Sequence, residues 1–158
     1  MVEIPNSVIT QIQNQAFATY PAECCGLLFA KTGSETVTRC FALENIADRF
    51  HAMDPVEYPR SSRDAFMVNE LKLTKAVKEA ESSGEQWVAF YHSHIDCGAY
   101  FSAEDRKYAA PNDEPIYPEI YQMVIETHAD RIVEARIFRW DGKDYAHLQT
   151  LPEFASRR

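Results

Sequence analysis

Trp87-Val88-Ala89-Phe90-Tyr91-His92-Ser93-His94-Ile95-Asp96-Cys97-Gly98-Ala99-Tyr100-Phe101-Ser102-Ala103-Glu104-Asp105 holds both the strand and the chemistry around which the chain is organised. Trp87 to Phe90 is an apolar run of the kind that forms a buried strand. His92 and His94 stand two apart at its end, so on a strand both imidazoles point to one face. A short loop then leads to Ser102-Ala-Glu-Asp105, which opens a short helix running through Ala109 and closed by Pro111. Two imidazoles and a carboxylate make a mixed nitrogen and oxygen ligand set of the type that suits zinc. A catalytic zinc takes three protein ligands and leaves a fourth position to water. Each part also has a plainer reading. An H-x-H pair on a strand can be a surface or satisfied core pair, and S-x-x-D is a helix-capping signal. The capping reading does not compete, because a carboxylate held in a first helical turn is well oriented to ligate.

Upstream of this stretch, Ile4 to Thr19 has Val8, Ile9, Ile12 and Ala16 at helical spacing, and Tyr20-Pro21 ends that helix. Cys25 to Ala30 and Glu35 to Leu43 read as strands joined by a turn at Lys31–Ser34, a hairpin. Asn45 to Arg60 is a long connection without clear periodicity. Ser61 to Ser83 has the longest helical pattern, with Phe66, Leu71, Leu73, Ala76, Val77 and Ala80 on its apolar side. Ser61 or Ser62 can cap its start, and Gly84 stops it. Downstream, Asn112–Pro118 reads as a loop, Ile120 to Glu126 and Arg131 to Trp140 as strands, and Asp141-Gly142 as a hairpin turn into Tyr145 to Leu151. The expected fold is an α/β or α+β sandwich, a mixed β-sheet with flanking helices. One domain is expected over residues 1–152, with a frayed tail over 153–158.

Composition bounds the function. The chain has 158 residues and a net charge of −8, which argues against a nucleic-acid binder. The first residues lack a secretory pattern and no apolar run approaches the ~20 residues of a membrane span, so a cytoplasmic protein is expected. Cys24, Cys25, Cys40 and Cys97 form no C-x-x-C pair; the expected reading is small buried hydrophobes rather than a structural zinc site.

The chemistry of a metal-activated water needs a base that is not a ligand. Glu23, at the mouth of the Cys25–Ala30 strand, is the candidate, although a solvated loop acid is the usual fate of a lone Glu. Ser102 could donate to the oxygen that gains charge when a carbonyl is attacked.

With these residues in place the chain resembles the JAMM (MPN+) metalloproteases. Their pattern is an upstream Glu, then H-[ST]-H-P, six residues, S, two residues and D. Here it reads Glu23 in Pro-Ala-Glu-Cys-Cys-Gly-Leu-Leu, His92-Ser93-His94-Ile95, then Ser102-Ala-Glu-Asp105. The resemblance also takes in the leading helix, Asn45, Asp54-Pro55 and the closing strands. Ile95 departs from the family's proline; it tolerates an extended His94 without enforcing it. Asp96 and Cys97, in the same loop, could reach the metal.

The resemblance implies a cytidine-deaminase-like sandwich and one Zn2+ per chain, held by His92, His94 and Asp105, with Glu23 and Ser102 catalytic. It implies cleavage after the C-terminal tail of a ubiquitin-like protein, the tail lying extended beside the active-site strand. Phe50, Tyr58, Tyr100 and Tyr117 are candidates for tail contacts, or else they pack their own loops. Compact prokaryotic members of this type process ubiquitin-like modifiers, including those of antiphage conjugation systems, with activating and conjugating enzymes as partners. Others release amino acids from sulfur-carrier proteins. Two further readings are a non-catalytic MPN scaffold, whose known members lack the ligands present here, and a zinc deaminase. The latter requires a P-C-x-x-C pair that this chain does not have.

Overall fold

The computed structural model describes residues 1–158. Helix α1 (Asn6–Thr19) leads into the hairpin β1 (Cys25–Lys31) and β2 (Val37–Leu43), followed by α2 (Ala47–Met53) and α3 (Glu70–Ser82). The long strand β3 (Glu85–Ile95), helix α4 (Ala103–Ala109) and the meander β4 (Tyr121–Thr127), β5 (Arg131–Trp140) and β6 (Tyr145–Leu151) complete the body. A short β7 (Ser156–Arg157) ends the chain. The strands form one mixed sheet in the order β2-β1-β3-β4-β5-β6, with β7 also paired to β5. β3 lies antiparallel to β1 and parallel to β4, and α4 lies in the crossover that a parallel pair requires. This is the mixed sheet with flanking helices that the pattern of elements predicts.

The two faces of the sheet are covered by different helices. Val8, Ile9, Ile12 and Ala16 of α1 pack with Leu28, Tyr91, Met123, Ile125 and Ile137. Leu73, Ala76 and Ala80 of α3, together with Phe66 and Val68, pack with Leu27, Phe29 and Phe90 on the other side. Phe90, His92 and His94 alternate along β3 with Tyr91 and Ser93, so the histidines emerge on the α3 face. Gly26 sits opposite Tyr91 in the β1–β3 register, and a Cβ there would run into the Tyr91 hydroxyl and the Phe41 carbonyl. Only glycine lets these strands approach so closely.

Four expectations are corrected. The Ser61–Ser83 helix begins only at Glu70. Asn69 is its cap, its side chain accepting from Leu71 N and Lys72 N, while residues 61–69 form turns and an extended run. Leu71, placed on the apolar side by periodicity, is 83% exposed, because the helix buries Leu73, Ala76 and Ala80. The connection Asn45–Arg60 contains α2, seven residues without a strong periodic face. The tail is not frayed: Phe154 is fully buried and Ser156 and Arg157 pair with Ile132 and Arg131. Burial of one aromatic ring and pairing to the first residues of β5 hold it down. The cysteines divide. Cys24 and Cys25 are buried, their thiols pushed up by burial, whereas Cys40 and Cys97 are partly exposed. No helix is long and apolar enough to cross a membrane.

Candidate metal centre

His92, His94 and Asp105 converge where β3 ends and α4 begins, with one ligand atom from each lying within 4.8 Å of the others. The strand supplies two imidazoles on one face. The helix supplies the carboxylate through a capping box in which Ser102 Oγ accepts from Asp105 N, and Ser102 N donates to Asp105 Oδ2, both at 3.0 Å. Asp105 Oδ2 also lies 3.0 Å from His94 Nε2. His94 Nδ1 faces the Gly98 carbonyl at 2.8 Å. A hydrogen bond there assigns the proton to Nδ1 and leaves the Nε2 lone pair free to ligate. His92 Nε2 is 3.2 Å from Asp105 Oδ1 but off the line of a hydrogen bond, and neither nitrogen of this fully buried ring has a partner. The Phe66 ring packs against it, centroids 4.4 Å apart.

An unpartnered buried imidazole beside a buried carboxylate is costly unless something else satisfies it. A cation bound by two nitrogens and an oxygen would do so, and the donor set is that of a zinc site. Burial opposes ionisation of Asp105. The two imidazoles that face it outweigh burial and hold the carboxyl well below the usual carboxylate range.

Glu23 approaches the same site from the loop just before β1, close enough for the charge of Asp105 to act on it. Cys24 N donates to Ser93 Oγ at 2.8 Å and Ser93 N to Cys24 O at 3.0 Å, so the residue between the two histidines fixes the residue after Glu23. Glu23 N donates to Ser62 O, and Asn45 Nδ2 donates to Glu23 O. The Glu23 side chain is only 5% exposed and its Oε1 has no partner. Desolvation first, then the charges of Asp105 and Asp64, push its carboxyl up to about 9.

Beyond His94, the loop turns at Asp96, which has φ +57° in the left-handed region. Ile95, in the place of the family's proline, stays in β3 and pairs with Thr127. The turn is anchored instead through Asp96: its N–H donates to Thr127 O, and Tyr20 Oη donates to its carboxylate at 2.9 Å. Arg63 and His128 approach that carboxylate to 3.6 Å. Neither Asp96 nor Cys97 belongs to the group of three ligand atoms.

The four aromatic candidates fall in different places. Tyr100 is 50% exposed and meets the His94 ring edge-on at 5.0 Å. Tyr58 lines a groove of about 500 Å3 together with Val56, Pro59, Phe66 and Tyr108, with Asp105 in its wall. Phe50 packs against Tyr58 at 5.0 Å and does not line the groove. Tyr117 packs against Trp87 at 4.8 Å in a separate apolar cavity of about 110 Å3 that also reaches Asp105. Two lining residues, Phe66 and Gln122, carried no functional signal in the sequence. Phe66 sits in an apolar run that reads as helix, and Gln122 is one polar residue in an alternating strand.

This sheet, with a His-x-His strand end facing a capped Asp, defines a JAB/MPN-type domain of the compact prokaryotic JAMM kind. The family of prokaryotic homologs of the JAB domain matches residues 5–138, and the chain belongs to it. A desampylase from Haloferax volcanii is 28% identical over 105 residues, covering 66% of this chain and 67% of that protein. A solution structure from Desulfitobacterium hafniense shares the fold with a TM-score of 0.71 at 21% identity, over 94% of this chain and 90% of that one. A JAB1/MPN domain protein from Archaeoglobus fulgidus does so with a TM-score of 0.53 at 13% identity, over 94% of each chain.

Proposed function

We propose that this chain is a zinc-dependent isopeptidase that cleaves after the C-terminal tail of a ubiquitin-like protein. The observation that carries this reading is the convergence of His92, His94 and Asp105 beside a buried, unpartnered carboxylate oxygen of Glu23. Membership of the family and the likeness to a desampylase support it. A scaffold that only pairs with other subunits has no use for a buried imidazole and a buried carboxylate that both lack partners.

His92, His94 and Asp105 would hold the metal, which when bound would supply Lewis acidity to polarise a carbonyl and bring the pKa of a water to about 7. Glu23 Oε1 takes the proton from the attacking water and passes it to the leaving amine. Its Oε1 is buried and has no partner within the protein, which leaves it free to hold that proton. Ser102 Oγ already accepts from Asp105 N, so its own hydrogen is free to bond the oxygen on which charge develops. The extended tail lies in the groove lined by Val56, Tyr58, Pro59 and Tyr108, ending at Asp105. Tyr100, half exposed beside His94, covers the scissile bond.

Substitution separates the roles. Glu23→Gln lowers turnover of a tail-fused reporter by at least ~100-fold, the scale of a lost general base, and retains one zinc per chain by elemental analysis. Asp105→Ala loses both metal and activity. Glu23→Gln with near-normal turnover would remove the base assignment.

A further inference from the structure

Asn45, in the turn between β2 and α2, gives every hydrogen-bonding group of its side chain to backbone around the site. Its Nδ2 donates to Glu23 O at 2.9 Å and to Ala65 O at 3.0 Å. Its Oδ1 accepts from Ala47 N at 3.0 Å and from Met67 N at 3.1 Å. A side-chain amide has two donor hydrogens and two acceptor lone pairs, so none is left over. These bonds run to separate parts of the centre. One holds Glu23, the proposed base. Two hold the residues on either side of Phe66, whose ring packs on His92 with centroids 4.4 Å apart. One side chain therefore ties the base to the wall of a ligand.

Glu23 depends on such a tie. It precedes β1, so no strand ladder fixes it. Its N–H goes to Ser62 O, and Ser62 is clamped in turn by Asp48 of α2, whose carboxylate oxygens accept from Ser62 N at 2.7 Å and Ser62 Oγ at 2.8 Å. The peptide that follows Glu23 is gripped on both sides, its carbonyl by Asn45 and its N–H, that of Cys24, by Ser93 Oγ. The Glu23 Oε1 has no partner of its own, so the carboxylate takes its place from this backbone. We infer that Asn45 is a positioning residue for Glu23: it fixes the base relative to His92 without being a ligand or a proton carrier. This inference rests on the proposed isopeptidase reading and deepens it by naming what sets the position of the base. No other residue of this size carries both functions. Asp keeps the two acceptor bonds and loses both donors, and Ala loses all four. A catalytic group displaced by about 1 Å can cost ~100-fold in rate, so partial loosening of Glu23 is expected to cost about tenfold.

The test uses the zinc-loaded full chain and a ubiquitin-like tail fused to a reporter. Asn45→Ala is expected to lower kcat about tenfold, with KM within about twofold of the parent and zinc retained. Asn45→Asp, which keeps the bond to Ala47 N at the start of α2, is expected to show the same loss and serves if the alanine variant does not fold. The decisive comparison is a double-mutant cycle. In the Glu23→Gln background, Asn45→Ala is expected to change kcat by less than about twofold, because no base remains to be misplaced. A residue that merely supports the fold would lower kcat alike in both backgrounds. Hydrogen exchange gives a readout apart from turnover. In Asn45→Ala the amides of Glu23, Cys24 and Met67 are expected to exchange about tenfold faster, with those of α1 unchanged. Equal loss in both backgrounds, unchanged turnover in both Asn45 variants, loss of zinc, or faster exchange throughout the chain would overturn the inference. If the parent cuts no fusion, the isopeptidase reading falls, and exchange at Glu23 and Met67 decides by itself whether Asn45 ties the two segments together.

Discussion

Glu23 is the residue whose environment says most about the site. In the metal-free protein its carboxyl titrates at about 9 rather than 4.5, with desolvation as the first cause. A folded pKa above the unfolded one means that the unfolded chain releases its proton first as pH rises. Stability is therefore undiminished below about pH 4.5 and falls as pH rises towards 9. Glu23→Gln removes that loss. In chelated protein the variant should match the parent near pH 4 and melt several degrees higher at pH 8, at roughly 3 °C per kcal/mol for a chain of this size. Thermal melts across that range read it directly. Zinc should narrow the gap at pH 8, because a neighbouring cation lowers the carboxyl's pKa.

At the scale of elements, the parts of the site that are local in sequence were legible and the parts assembled by tertiary contact were not. His-x-His at a strand end, and Ser102-x-x-Asp105 as a cap, each rest on one element's own geometry, and the structure brings them together. The bounds of β5 and β6 matched because alternation and Asp141-Gly142 mark them. The start of α3 was misread because Phe66 and Val68 are apolar and fit a helical pattern as well as the extended run they form. Ser61 and Ser62 are also good caps in isolation. Asn69→Ala should cost about 1 kcal/mol, the value of a lost cap, and lower Tm by ~2–4 °C, whereas Ser61→Ala should leave it within about a degree. Gln122 could not be singled out, because its burial comes from α3 and α4 folding over β4.

At the scale of the whole molecule, one sheet carries everything, and its far edge depends on the last residues of the chain. Phe154 is fully buried in the cluster under α1, and Gln13 Nε2 donates to its carbonyl at 3.0 Å. Phe154→Ala should therefore cost ~3–5 kcal/mol, a large share of the stability of a domain. A frayed tail would show almost no change in thermal melting. The family's sheet and the converging ligands belong to the same scale, since β3 and α4 bring the three ligands together and the loop before β1 brings Glu23. The central claim is that this assembly is a metal-dependent isopeptidase acting on a ubiquitin-like tail. The most direct measurement is cleavage of a ubiquitin-like protein, fused through its C-terminal tail to a small reporter, before chelation, after it, and after zinc is restored. The account predicts release that the chelator abolishes and zinc recovers. No release with zinc confirmed in the protein, or release indifferent to the chelator, would contradict it.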